Sequence, residues 1–372
     1  MEHIVGNFIQ IGMGTAFQVI LLGFIGGVLS GFIGSGGAFF MTPGMMNLGI
    51  QGVVAVASNI THKFGKAMVG SHKHGEAGNV DKKLAGFMLG TAVAGIQLAV
   101  LINSLLFKGG GDSHGAVKGA GANLYISLVF VSILTFVALS MLWDVLKNSG
   151  KKGGDTGPSR KIADALSQLN LPPMIHFKVA DTTVSLWVIL PMGVATGYLA
   201  GTIGVGGFIG VPAMIYVFGV PTAVAAGTEL YLAMFMGAYG ALSYAFQGFV
   251  DIRLTMLMYL GSLVGIYLGV YGVKVVNEKY IRMVTSVIIL LCVISRGIAI
   301  PMYLRQLGLV DMDPGLDVYF NNTSKFFLFA SGITGTLLIL INVVRAYRQR
   351  RKLHKSIRVV KSPSAILAPD LS

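Results

Sequence analysis

Two short polar runs interrupt otherwise apolar stretches: Ser58-Asn59-Ile60-Thr61-His62-Lys63 and Thr228-Glu229-Leu230-Tyr231. Asn59 and Glu229 stand 170 positions apart, at the same place in the two runs. An ionised side chain at bilayer depth costs about 2.5–3.5 kcal/mol on insertion scales, so His62, Lys63 and Glu229 are expected to serve a function and to face a bundle interior. An ammonium or imidazolium holds an anion, and a buried carboxyl exchanges a proton. The structural alternative is an internal ion pair between Glu229 and Lys63.

Ahead of each run lies a glycine cluster, Gly31-Phe32-Ile33-Gly34-Ser35-Gly36-Gly37 and Gly201-Thr202-Ile203-Gly204-Val205-Gly206-Gly207, trailed by Pro43 and Pro212. Such a cluster unwinds a membrane helix and bares backbone amides at the positive end of the half-helix that follows, which suits an anion. Close packing of small residues is the competing explanation for one cluster alone; two at equivalent positions favour a site. The candidate substrate ligands are therefore Gly34, Ser35, Gly36, Gly37, Ser58, Asn59, Thr61, His62, Lys63, Gly204, Gly206, Gly207, Thr228 and Glu229. Arg296 joins them, because a guanidinium inside an apolar segment pairs with an oxyanion or bonds a carbonyl where Pro301 breaks the helix. On this reading Gly36→Val or Gly206→Val abolishes binding and leaves expression largely intact. Glu229 is the candidate group for coupling protons to transport.

These residues need a membrane scaffold. Hydrophobic residues make up 54% of 372 positions and charged ones 12%, and apolar runs reach the roughly 20 residues that cross a bilayer. Apolar segments fall at about 14–38, 43–71, 84–106, 123–146, 183–212, 219–247, 254–273, 283–303 and 325–344. The chain also matches itself at the 170-residue offset: Gly49 falls on Gly219, and Gly78-Asn79-Val80-Asp81 on Gly248-Phe249-Val250-Asp251. The expected fold is thus an all-α polytopic membrane protein of two transmembrane repeats with broken helices, plus one extra C-terminal transmembrane helix. Its expected divisions are repeat 1 at 12–146, a linker at 147–182, repeat 2 at 183–303, the extra helix at 324–346 and a basic tail at 347–372. The N-terminal apolar segment lacks a basic leader and reads as a retained membrane segment.

Charge placement sets an orientation. Residues 147–178 carry six Lys/Arg against Asp155 and Asp164, whereas 304–323 carry Arg305 against Asp311, Asp313 and Asp317. The linker and the tail from Arg345 onward then belong in the cytoplasm, and the acidic loop with its Asn321 and Asn322 sequons outside. An outside N-terminus and an inside linker require an odd number of crossings in the first half, so the halves are expected to be inverted; the alternative is a four-plus-four parallel arrangement, which the charge rule disfavours. The net charge of +13 is concentrated near the membrane ends, which fits contact with anionic lipid headgroups and not nucleic acid. His72-Lys73-His74-Gly75-Glu76 with Asp81 reads as a solvated turn and not as a metal site. No nucleophile–base pair is evident, and neither an enzyme nor a cofactor is expected.

At the paired glycine clusters, the small-polar steps Ala57-Ser58 and Gly227-Thr228, and the Gly-x-Val-Asp turns, the chain resembles the TauE/SafE sulfite exporter family over roughly 15–275. A third consecutive glycine of that family is replaced here by Ala38 and Phe208. The resemblance implies a secondary transporter of a small anion, such as sulfite or an organosulfonate, in the bacterial inner membrane. The alternative is a divalent-cation transporter using Glu229 and His62.

Overall fold

In a computed structural model, residues 10–33, 37–109, 117–147, 171–204, 206–275 and 278–360 are described. The first half contains α1 (Met13–Ile33), the short α2 (Ala38–Asn47), α3 (Gly52–Glu76), α4 (Lys82–Gly109) and α5 (Ala120–Lys147). The second contains α6 (Leu186–Ile203), the six-residue α7 (Gly207–Pro212) continued by a π-turn at Ala213–Val217, α8 (Thr222–Phe246), α9 (Ile252–Val275) and α10 (Glu278–Ile298). Then come the short α11 (Ile300–Gln306) and the long α12 (Leu316–Val360). Among the described residues, seven helical spans are long and apolar enough to cross a membrane, so the molecule is an all-α polytopic membrane protein. Helices α3 and α8 are not among those seven. Their polar residues lower their apolarity, and both are largely buried in the middle of the bundle.

The 170-residue offset reappears in the contacts. Along α1 and α9, Gly23 meets Met258, Gly27 meets Ser262 and Gly31 meets Ile266, so the two helices run parallel. Shifted by 170 and exchanged between halves, those pairs become Gly193 with Met88, Gly197 with Ala92 and Gly201 with Ile96, the contacts that join α6 to α4. Small residues let these backbones touch, which is how helices associate where lipid supplies no hydrophobic drive. The central pair has the opposite sense. Gly240 meets Ile60, Gly237 meets Phe64, Gly70 meets Leu230 and Gly227 meets His74, so the equivalent helices α3 and α8 are antiparallel. The turn glycines match as well: Gly49 and Gly219 have φ of 87° and 75°, and Gly78 and Gly248 have 70° and 74°.

Helix α2 folds back beside α1, with Gly37 against Gly26 and Gly44 against Leu22. The pair forms a hairpin that enters and leaves by one face, and α3, α4 and α5 then traverse the bundle. That face carries the 247–251 turn, whose Phe249 ring lies 5.0 Å from Phe107, and the start of α5, where Val117 N donates to Gln306 O at 3.3 Å. The opposite face carries the 77–81 turn. Helix α12 starts at the first face, where Arg305 is paired with Asp317, and runs antiparallel to α10 until Asn342 meets Tyr280 at 3.0 Å.

Several elements depart from the sequence reading. The apolar segment 43–71 is two elements, divided at the Gly49 turn. The extra helix starts at Leu316 and not near 324, so Asn321 and Asn322 lie on its first turns and not in a loop. The part of the linker at 148–170 lies outside the described residues. Beyond it the linker holds a feature the sequence did not announce, an antiparallel hairpin of β1 (Met174–Phe177) and β2 (Thr182–Ser185). Asp81 pins this hairpin: its Oδ2 accepts from Val179 N and Ala180 N at 3.1 Å each, and its Oδ1 from Leu84 N at 3.0 Å. Asp81 is therefore a buried structural carboxylate, and 72–76, expected as a loop, is instead the last turn of α3, where His72 and Glu76 form an exposed pair at 3.2 Å.

Candidate functional site

Helix α6 ends at Gly204, whose φ of 79° lies in the left-handed region that L side chains rarely adopt. The chain turns there and restarts at Gly207 as α7, and neither α7 nor α2 has a side chain capping its first amides. The rings of Phe39 and Phe208 meet edge to face at 5.2 Å, so the N-terminal ends of the two half-helices converge. Unsatisfied amides and aligned peptide dipoles give such ends a positive potential.

Helix α3 forms the wall of this break. Asn59 Nδ2 donates to Thr42 Oγ1 at 2.8 Å and to Ala38 O at 3.0 Å, and Thr42 Oγ1 in turn donates to Ile203 O at 3.1 Å. This chain of bonds ties the start of α2 to the end of α6. A Cβ at Gly204 would stand 2.8 Å from Asn59 Nδ2. One turn on, Lys63 shares that face of α3, and its Nζ lies 4.0 Å from Glu229 Oε1. The Glu229 carboxyl rests against Gly210 in α7, where a Cβ would meet its Cδ at 3.1 Å. Lys63 and Glu229 are 7% and 2% exposed, and neither carboxylate oxygen has a hydrogen-bond partner among the described residues.

The structure thus brings together Asn59, Lys63, Gly204, Gly206, Gly207 and Glu229, with Gly37 at the start of the facing half-helix. Gly34, Ser35 and Gly36 lie outside the described residues. Other candidates face elsewhere. Ser58 Oγ accepts from Asp251 N at 3.3 Å, and Thr228 Oγ1 accepts from Asp81 N at 3.0 Å, two bonds related by the same offset and exchange. Thr61 Oγ1 donates to its own helix at Ala57 O. His62 Nε2 is 2.7 Å from Ser262 Oγ and its ring stacks 4.6 Å from Tyr259, both on α9. Arg296 sits at the far end of α2, bonded to Asn47 Oδ1 at 3.2 Å and Tyr303 Oη at 2.7 Å. There it meets the negative C-terminal ends of α2 and α10, which a guanidinium stabilises.

The expectation that valine at Gly206 spares the fold does not survive. A Cβ there would fall 2.9 Å from Thr196 O and from Ala200 Cβ, so close packing and amide exposure are combined at this glycine. Sequence reasoning also missed Thr42 and a second polar group at the end of α6. Asn103 Nδ2 is 2.7 Å from Tyr244 Oη, and Tyr244 Oη donates to Gly201 O at 2.6 Å. Asn103 is a lone amide in an apolar run, the signal that drew attention to Glu229. Among the described residues no group of three or more His, Cys, Asp or Glu could hold a metal ion.

A family model described as sulfite exporter TauE/SafE matches residues 19–296, most of the chain and all of the site above. The chain belongs to the TauE/SafE family. Two Bacillus subtilis (strain 168) proteins are similar to it. Probable membrane transporter protein YjnA is 24% identical over 253 residues, covering 68% of this chain and 88% of the relative. Probable membrane transporter protein YdhB is 25% identical over 254 residues, covering 68% and 87%. No solved structure matches. The TauE/SafE match ends at Arg296, so α11 and α12 of this member lie beyond the matched region.

Proposed function

We propose that this membrane transporter carries a small oxyanion, sulfite or an organosulfonate, across the membrane, as exporter or importer, through the α6–α7 break. The observation that carries this reading is a buried ammonium, Lys63, without a hydrogen-bond acceptor among the described residues, on the face of α3 that adjoins the uncapped starts of α2 and α7. A cation carrier needs converging carboxylates, whereas Glu229 is accompanied by a lysine. His62 and Glu229 also turn toward different helices, His62 to α9 and Glu229 to α7. A thermal-shift screen of purified protein against sulfite, sulfate, thiosulfate and methanesulfonate tests the reading. At 100 Kd a ligand stabilises by about 2.7 kcal/mol, so a sulfite or sulfonate shift that Lys63→Gln removes is the expected result. A shift with divalent cations and none with oxyanions would overturn it.

The halves are further proposed to cross the membrane inverted, with 12–146, 147–182 and 183–303 as functional units, the extra membrane helix formed by α12 from Leu316 and the basic tail at 347–372 following from it. Antiparallel α3 and α8 support this, since equivalent helices of opposite direction imply an axis in the membrane plane. The end of α5, the β1–β2 hairpin and the exit of α12 share one face, which the charge bias assigns to the cytoplasm, with anionic lipid at the basic tail. In a Cys292→Ser background, single cysteines at 165 and 355 should resist an impermeant thiol reagent in intact cells and one at 322 should react. Labelling at 165 from outside would reverse the assignment.

A further inference from the structure

Lys63 and Glu229 form an unusual pair. Their separation of 4.0 Å is too long for a hydrogen bond, and both carboxylate oxygens lack any donor although the side chain is 2% exposed. A buried charge is stable only when paired and hydrogen-bonded, so this arrangement holds the ionised carboxylate poorly. Lys63 has no hydrogen-bond acceptor among the described residues either. Its ammonium thus has donors to offer, and it stands on the face of α3 that adjoins the α6–α7 break through Asn59.

The surroundings of Glu229 restrict what it can take up. Helix α7 presents Gly210 and α6 presents Thr196, whose hydroxyl already donates to Met192 O at 2.7 Å. Helix α4 carries no titratable residue between Lys83 and Lys108, and α7 none at all. On α3 Lys63 is the charged group beside Glu229, while His62 turns to Ser262, Lys66 lies about one turn further on, and His74 lies against Gly227 of α8. A sodium ion needs several oxygen ligands and would lie against an ammonium. A proton needs one carboxylate oxygen.

We propose that a substrate oxyanion and Glu229 compete for Lys63, so that each anion entering the break releases Glu229 to bind one proton from the medium, and the two move together. The proposal rests on the oxyanion reading above and supplies its coupling ion. Before binding, Lys63 is neutralised by the Glu229 carboxylate. When the anion takes Lys63, the carboxylate would remain as a second buried negative charge, and protonation of one oxygen removes it. Site charge is conserved, and the proton leaves when the anion does.

The test measures protons taken up when an anion binds. Thiosulfate and methanesulfonate, which do not titrate near neutrality, are added to detergent-purified full-length protein in weakly buffered solution with a pH indicator. Wild type should take up about one proton per anion bound, and its affinity should fall as pH rises, by linkage. Glu229→Gln should bind the anion about tenfold tighter, because the competitor for Lys63 is gone, with no proton uptake and no pH dependence. Glu229→Asp, which keeps a titratable group, should restore the uptake. Proton uptake in Glu229→Gln equal to wild type would overturn the coupling and leave the oxyanion reading standing. Anion binding weakened in both variants would likewise overturn the competition. If wild type binds none of the oxyanions while its fold is intact, the oxyanion reading falls and takes the coupling with it.

Discussion

Gly27→Val and Gly197→Val are expected to eliminate the folded protein to the same degree, although the two residues lie in different halves. A Cβ at Gly27 would stand 2.5 Å from Ser262 O and 2.7 Å from its Cα; one at Gly197 would stand 2.6 Å from Ala92 Cα. Overpacking a well-packed core costs typically 1–3 kcal/mol when side chains can shift. Here the obstacle is the backbone of a neighbouring helix, so the cost falls at or above that range. At Gly86 and Gly90 a Cβ meets nothing within 4 Å, and valine there serves as the control. Size-exclusion profiles of detergent extracts decide the matter. A monodisperse Gly197→Val peak at the control yield would mean that α4 and α6 do not touch as described.

Lys63→Met is expected to leave Glu229 protonated and to destabilise the protein by about 1–3 kcal/mol, the cost of a buried polar group left without a hydrogen bond. The reason is the orphaned Glu229 carboxyl, 2% exposed and without a hydrogen bond. Lys63→Met/Glu229→Met should regain most of that loss, since an apolar pair of similar volume often matches or exceeds the ionic one. The double variant should nevertheless give no thermal shift with sulfite. Recovered stability with binding absent separates the structural role of the pair from its role toward substrate. Recovered binding would remove Lys63 from the site.

Much of this arrangement is readable in the chain itself. The offset of Gly49, Gly78 and their partners records turns that need positive φ in both halves, and the glycine clusters mark where α6 stops. Helical spacing within the polar run also carries information. Asn59 and Lys63 are four apart and share the face toward the α6–α7 break, while Ser58 and His62, also four apart, reach Asp251 and Ser262 beside α9. Listing Ser58, Asn59, Thr61, His62 and Lys63 as one set obscured that division. Other features depend on distant partners. Asp81 reads as a turn residue until Val179 and Ala180, about a hundred positions on, supply its donors. The four-residue strands of the hairpin are too short for a periodic signal. Helices α3 and α8 read as less apolar because, lined by other helices, they are free to carry the polar groups that lipid would exclude.

The exchanged contacts have an energetic consequence. Were the halves identical in sequence, opening toward one side and opening toward the other would be the same structure turned over, and the two would be equally populated. Every position where the halves differ tilts that balance. On one side Asp81 gathers two hairpin amides and the first turn of α4; on the other, Asp251 binds the half-exposed Arg253 at 2.8 Å. Asn59 corresponds to Glu229, and His62 with its Ser262 partner to Leu232 and Ala92. Two orientations of the empty chain would therefore not be equally populated, and a bound ligand would have to supply the difference between them.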